Sequence, residues 1–179
     1  MEIRPATNTM LAMEESNKVL TAALVKRHEK SIHSLELWTF TDIEESAIAP
    51  LCASKRYINL SGLTSLTEEA ADAFSAHEGI LDLSGLTSLT PVIAESLAGM
   101  KGGLWLTGLA TLSVEAARAL ASHAGDLYLC GLVTISEEAA TALARHTGFL
   151  SLAGLTAVSS EAARALSKHR GFGVNCVGK

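Results

Sequence analysis

Four histidines stand in step: His77, His123, His146 and His169 fall in one column when the chain is written in rows of 23 residues, and Met100 takes the place between the first two. Imidazole is the commonest metal ligand among side chains, so metal binding is the first chemical reading of such a ladder. Met100 argues against it, because the column accepts a plain apolar side chain. Each histidine also lies three residues past a large apolar residue, near the expected last carbonyls of a helix, where histidine commonly packs and donates a hydrogen bond. A structural role is the expectation. The run "HEKSIH" (His28–His33) resembles a zinc-protease HExxH with its second histidine one place late. At about 100° per residue, the fifth step on a helix turns that ring about 140° from the first. No nucleophile elbow, phosphate-cradling glycine loop or dinucleotide fingerprint occurs. The paired carboxylates Glu68/Glu69 and Glu137/Glu138 sit at expected helix starts, where the helix dipole accounts for them. Cys130 is the one cysteine expected to face outward, and no base stands beside it. The chain is read as non-enzymatic, with no cofactor and no metal.

The elements that carry these residues follow from the period itself. Leu35, Ile58, Leu81, Leu104, Leu127 and Leu150 are successive first residues of a repeat, L-x-L-x-G-L-T-x-L-[ST]-x-E-A-A-x-A-L-x-x-H-x-G-x. Five units run from Ile58 to Phe172 without an insertion, Leu35–Tyr57 is a degenerate unit before them, and "VNCVG" (Val174–Gly178) begins another, displaced by one residue at Gly173. The L-x-L alternation predicts a short strand with one buried face. Gly62, Gly85, Gly108, Gly131 and Gly154 mark the turn, where the missing side chain permits close packing or positive φ. Thr67, Thr90, Ser113, Ser136 and Ser159 are placed to cap a helix start, and Pro91 follows Thr90 at the one helical position where proline is harmless. Alanine-rich stretches such as "VEAARAL" predict a helix of about ten residues, with Gly79, Gly102, Gly125, Gly148 and Gly171 closing each unit in a helix-ending role. Glu115/Arg118 and Glu161/Arg164 read as solvated pairs on the outer helices. A helix this short is marginal alone, so the units must stack into a solenoid.

A strand–turn–helix unit of 23 residues resembles the leucine-rich-repeat family, with the L-x-L strand and the apolar pair after it carrying the likeness over about Leu35 to Gly178. The family's usual turn asparagine is replaced by Leu63, Leu86, Leu109, Leu132 and Leu155, which makes this a variant class. The resemblance implies an α/β fold: a right-handed β/α solenoid with short parallel strands on a concave face, short helices on a convex face, and binding through the exposed strand positions. Residues 1–34 are read as an N-terminal segment and helical cap, and residues 35–179 as the array of six units and a truncated seventh. The cap helix is expected over about Met13 to Lys30, with Val19, Leu20, Ala23 and Leu24 toward the core. Pro50 is expected inside the next helix and should kink it.

The bulk figures agree with a soluble intracellular chain. Apolar residues make up 48% of the sequence but aromatics only 4%, so the core must be built of leucine and alanine. A formal charge of −5 without a basic stripe argues against nucleic acid. No apolar run reaches the ~18 residues of a membrane span, and the first residues lack the pattern of a secretion signal. Three cysteines without CxxC spacing suit a reducing compartment, and a cytoplasmic location is expected.

Function is sought where the repeats disagree. The free position between the two leucines reads Glu36, Asn59, Asp82, Trp105, Tyr128 and Ser151, and the next outward position Trp38, Ser61, Ser84, Thr107, Cys130 and Ala153. One residue earlier, Tyr57, Ile80, Gly103, Asp126, Phe149 and Phe172 join the same face. A sheet facing water has no need of a tryptophan beside a tyrosine. Trp105 and Tyr128, flanked by Phe149, Asp82 and Asp126, with Trp38 farther along, therefore form the candidate site for a protein or peptide partner, with a shallow notch expected at Gly103. Cross-strand aromatic packing is the alternative account of the same residues. Self-association through the C-terminal strand edge is the alternative function.

Overall fold

The computed structural model describes residues 18–28, 34–171 and 174–175, the last two by their backbone. Within them the chain is an α/β protein in which parallel strands alternate with helices. The strands are β1 (Val19–Leu20), β2 (Ser34–Glu36), β3 (Asp42–Ile43), β4 (Tyr57–Asn59), β5 (Leu81–Asp82), β6 (Leu104–Trp105), β7 (Leu127–Tyr128), β8 (Leu150–Ser151) and β9 (Val174–Asn175). The helices are α1 (Ala22–His28), α2 (Glu45–Ala53), α3 (Glu68–Phe74), α4 (Pro91–Ala98), α5 (Val114–Leu120), α6 (Glu137–Leu143) and α7 (Ser160–Leu166). One sheet runs in the order β2-β4-β5-β6-β7-β8-β9, and β1 pairs with β3 beside it. From β2 to β8 the register is the repeat period: Leu35 faces Ile58, Leu81 faces Leu104, and Leu127 faces Leu150. Between β8 and β9 it lengthens by one residue, Leu150 to Val174, which absorbs the displacement at Gly173.

Many of the bonds between strands share one form. The amide of a buried leucine donates to the carbonyl of an outward residue on the next strand, as Leu83 does to Trp105 (2.9 Å) and Leu106 to Tyr128 (2.9 Å). Leu81, Leu83 and Leu86 are buried with their equivalents in every unit, and Ala94, Ala116, Ala117, Ala139, Ala140 and Ala162 meet them from the helices. Burial of one leucine stabilises by about 1.5–3 kcal/mol, so the core gains from each added coil. Every repeat helix opens on its expected cap: the side chains of Thr67, Thr90, Ser113, Ser136 and Ser159 accept from the amide three residues on, at 3.1–3.2 Å. In α2, Glu44 stands in the cap position without capping a helix amide, its Oε2 accepting instead from the Ser46 hydroxyl (3.2 Å), and Pro50 lies inside the helix. The described ion pairs run between units rather than along a helix, with Lys55 and Lys101 both on Glu78.

Two expectations are corrected. Val19 and Leu20 are not helical but form β1, and the helix begins only at Ala22. Leu20 and Leu24 are buried as expected, whereas Ala23 is exposed and Val25 is buried in its place. The rest of the expected cap helix, Met13–Asn17 and Glu29–Lys30, lies outside the described residues. The cause is the period: Val19 pairs with Asp42 one repeat on, and the Thr21 hydroxyl accepts from the Leu24 amide (3.4 Å), as the later cap residues do. Chain in step with the array must enter its helix by the same strand and turn. The glycines expected to end the helices are the second correction, whereas those of the turn take the close-packing role, one of the two expected of them. None of the described glycines adopts the left-handed conformation, and the residues that end the repeat helices α3 to α7, such as Ala121 (φ −63°, ψ −20°), stay right-handed. Both glycine columns exist because successive repeat units touch there: a Cβ on Gly108 would fall inside the radius of the Ser84 carbonyl oxygen, and one on Gly102 inside that of Gly79.

Candidate functional site

The histidine column is buried beneath the turn that follows each helix. His77, His123 and His146 are at most 1% exposed, and the amide of each bonds back to the large apolar residue three positions earlier. The rings of His123 and His146 stack with centroids 6.1 Å apart and planes 5° from parallel, and those of His146 and His169 stack at 6.0 Å. Ligand nitrogens sit about 2.1 Å from a zinc ion, so two on one ion are within about 4 Å of each other, which this stacking does not offer. Among the described residues, no three His, Cys, Asp or Glu side chains converge for a metal. The expected donation to the helix's own last carbonyls is not seen. His169 Nε2 lies 3.2 Å from the Gly148 carbonyl, one coil back, and the ring nitrogens of His77, His123 and His146 have no hydrogen-bond partner among the described residues. Burial therefore holds these three imidazoles below their ordinary pKa. Backbone groups such as those of Arg56 near His77 and Ala98 near His123 offset this in part without reaching hydrogen-bond geometry. His146 is lowered further by the like charge of His123 and His169.

The opposite face of the sheet carries a continuous aromatic row. Trp105 meets Tyr128 at 5.3 Å and Tyr128 meets Phe149 at 5.5 Å, with planes tilted by 56° and 49°. Tyr57 joins from the other side at 5.8 Å from Trp105, although β5 lies between their strands. It leans across Asp82, and its hydroxyl donates to Asp82 Oδ2 (3.1 Å) while the Ser84 amide donates to Oδ1 (2.9 Å). Asp82 is consequently 6% exposed: it lies beneath the row and not beside it. Burial, then the charge and hydrogen bond of Asp82, then the charge of Glu36, push the Tyr57 phenol up to about 12. The Trp105 indole N–H is buried without an acceptor among the described residues, a cost of about 1–3 kcal/mol that its packing must offset.

Of the residues expected at this site, Trp105, Tyr128 and Phe149 are brought together. Asp126 is exposed at the edge of the row, its Oδ1 accepting from the Phe149 amide (3.2 Å). Asp82 is present as a charge but covered. Trp38 is 58% exposed, three strands from Trp105, and makes no ring contact with the row among the described residues. The notch at Gly103 is narrowed by the Ile80 side chain, which stands 3.4 Å from where a Gly103 Cβ would be. Phe172 lies outside the described residues. Tyr57 is the member the alternation alone did not pick out; its column showed that it faces outward, but only the lean across a neighbouring strand puts it against Trp105.

Other candidate groups do not assemble a reaction centre. Cys130 Sγ lies 3.1 Å from the Ser151 hydroxyl, which is no base. Burial pushes the Cys52 thiol up to about 11, away from the nucleophilic form. The sequence HEKSIH falls, but for the backbone of His28, outside the described residues. A depression of about 430 Å³ opens on the helix side among Thr141, Arg145, Ala165, Lys168 and Arg170, and its lining holds no carboxylate, histidine or cysteine. No helix of the described residues is long and apolar enough to cross a membrane. No protein-family model matches the chain, and no curated protein matches it.

Proposed function

We propose that the chain is a right-handed β/α solenoid of the leucine-rich-repeat type, in a variant without the turn asparagine, and that it works in the cytoplasm as a non-enzymatic module. Its concave strand face holds a protein or peptide partner. The observation that carries this reading is the row Tyr57–Trp105–Tyr128–Phe149, set out on the sheet face away from the helix-packed core. Partly exposed aromatic rings with polar neighbours are the composition of interface hot spots, and a sheet that only faced water would gain nothing from them. The test is capture from a lysate with the wild-type chain and a Trp105→Ser/Tyr128→Ser variant, both first shown to be folded by circular dichroism and thermal melting. A partner retained by the first and lost by the second is the expected result. An identical partner set for both sinks the reading. End-to-end assembly is the second reading, favoured by β9, which among the described residues pairs with β8 alone at the edge of the sheet. Mass that rises with concentration in sedimentation separates it from the first.

A further inference from the structure

The charged residues on the sheet face all have one sign. In the three outward columns the described charged side chains are Glu36, Asp82 and Asp126, and no lysine or arginine stands among them. None of the three carboxylates is paired with a cation among the described residues; their partners are neutral, Asn59 Nδ2 on Glu36 (2.8 Å), the Tyr57 hydroxyl and Ser84 amide on Asp82, and the Phe149 amide on Asp126. The basic residues that accompany the repeats, including Arg118, Arg145, Arg164 and Lys168, lie on or just after the helices. Uncompensated negative charge thus lies under a row of π faces at Asp82, along its edge at Asp126, and one strand beyond its Tyr57 end at Glu36. Those faces are themselves negative above and below the ring, so they attract cations positioned within about 6 Å of a centroid. An anionic partner would meet three carboxylates and no counter-charge. A purely apolar one would strip water from Glu36 and Asp126 without replacing it.

We propose that the occupant of this face is a cationic peptide segment, whose arginine or lysine side chains lie over Trp105 and Tyr128 and are neutralised by Asp126 at the edge of the row and by Glu36 beyond its Tyr57 end, with buried Asp82 adding its field from beneath. The aromatic rings follow one another at 5.3–5.8 Å, close to the rise of two extended residues at about 3.3 Å each, so alternate side chains of an extended strand reach successive rings. Arginine suits the row better than lysine, since its planar, weakly hydrated guanidinium stacks on the ring while its edge still reaches a carboxylate. The inference rests on the reading of this face as a docking surface and adds the chemistry of what docks.

The experiment uses the full chain carrying Trp38→Phe, so that Trp105 alone reports, and titrates it with short capped peptides of alternating arginine and serine, with matched peptides bearing citrulline or glutamate in place of arginine. The arginine peptide is expected to shift Trp105 fluorescence saturably, the citrulline peptide to bind at least about tenfold more weakly, and the glutamate peptide not to bind. Glu36→Gln/Asp126→Asn replaces two exposed or edge carboxylates by near-isosteres. It should weaken the arginine peptide about three- to tenfold and flatten its salt dependence between about 0.05 and 0.5 M. Equal binding of arginine and citrulline peptides, no response to the arginine peptide at about 1 mM, or indifference to the carboxylate variant each overturns the cationic assignment. In those cases a lysate partner lost with Trp105→Ser/Tyr128→Ser would keep the docking face while discarding its charge preference. A Trp105-dependent dimer in sedimentation without peptide would make a second copy of the chain the occupant and overturn the proposal as well.

Discussion

Lowering the pH from about 7.5 to 5.5 should destabilise this protein steeply, and the histidine column should be the reason. His77, His123 and His146 are buried, lack hydrogen-bond partners among the described residues, and have folded-state pKa values below the ordinary 6.5. A base with a lowered folded pKa binds its proton more readily when unfolded, so its stability contribution is complete above the unfolded pKa and is lost as pH falls below it. Each such histidine gives a slope approaching about 1.4 kcal/mol per pH unit between its unfolded and folded pKa. Just below pH 6.5 an unfolded imidazole is about half protonated, so the three together give at most about 2 kcal/mol per unit there, before the ordinary carboxylates begin to titrate near 4. In a domain of this size about 1 kcal/mol moves the melting temperature by about 2–4 °C, so a loss of about 2 kcal/mol should lower it by roughly 4–8 °C. Stacking sharpens the effect, because a charge on His146 opposes one on His123 or His169 and keeps the folded column from protonating together. Met100, 1% exposed in the same column, supplies the control. A His77→Met/His123→Met/His146→Met variant should remain folded at pH 7.5 and lose most of the slope between pH 6.5 and 5.5. Chemical denaturation across that range measures both. A wild-type stability flat from pH 7 to 5.5, or a triple variant with the wild-type slope, refutes the reasoning.

Three further outcomes follow from the same geometry. Gly108→Ala should destabilise by about 3 kcal/mol or more in urea unfolding, since its Cβ would strike the Ser84 carbonyl of the adjoining coil, whereas Gly103→Ala, whose nearest neighbour is an Ile80 side-chain carbon at 3.4 Å, should cost well under about 1 kcal/mol. Tyr57→Phe should cost about 1–3 kcal/mol by leaving buried Asp82 with the Ser84 amide alone, and the loss should appear in thermal melts at neutral pH. Cys52, with its thiol pushed up to about 11, should resist iodoacetamide at pH 8 in the folded protein and react on unfolding, as peptide mapping after timed quenching would show.

Much of the architecture was legible because the repeat states each requirement several times over. Ser113 and Ser136 announce helix starts, and the Leu104/Leu106 and Leu127/Leu129 alternation announces strands, in registers that the pairing of β6 with β7 reproduces. The N-terminal piece was less legible: Val19, Leu20 and Thr21 keep the x-L-[ST] of the consensus, but no L-x-L-x-G stretch precedes them. A propensity reading joined them to the helix that begins at Ala22.

Within the repeat units the sequence by itself determined which strand leucines are buried, because a period of 23 with alternating leucines admits one inward face. It determined the caps for the same local reason: a hydroxyl three residues before an amide needs nothing but the intervening backbone. Only the tertiary structure decided what the columns do to one another. That Gly102 must be glycine depends on the carbonyl of Gly79 in the coil before it. That the histidines are stacked and unpartnered depends on ring orientations set by those coils. That Tyr57 reaches Trp105 over a covered Asp82 depends on side chains leaning across a strand they do not adjoin in sequence. These contacts arise between units brought within a few ångströms by stacking, and no local rule along the chain fixes how far a side chain leans once it is there.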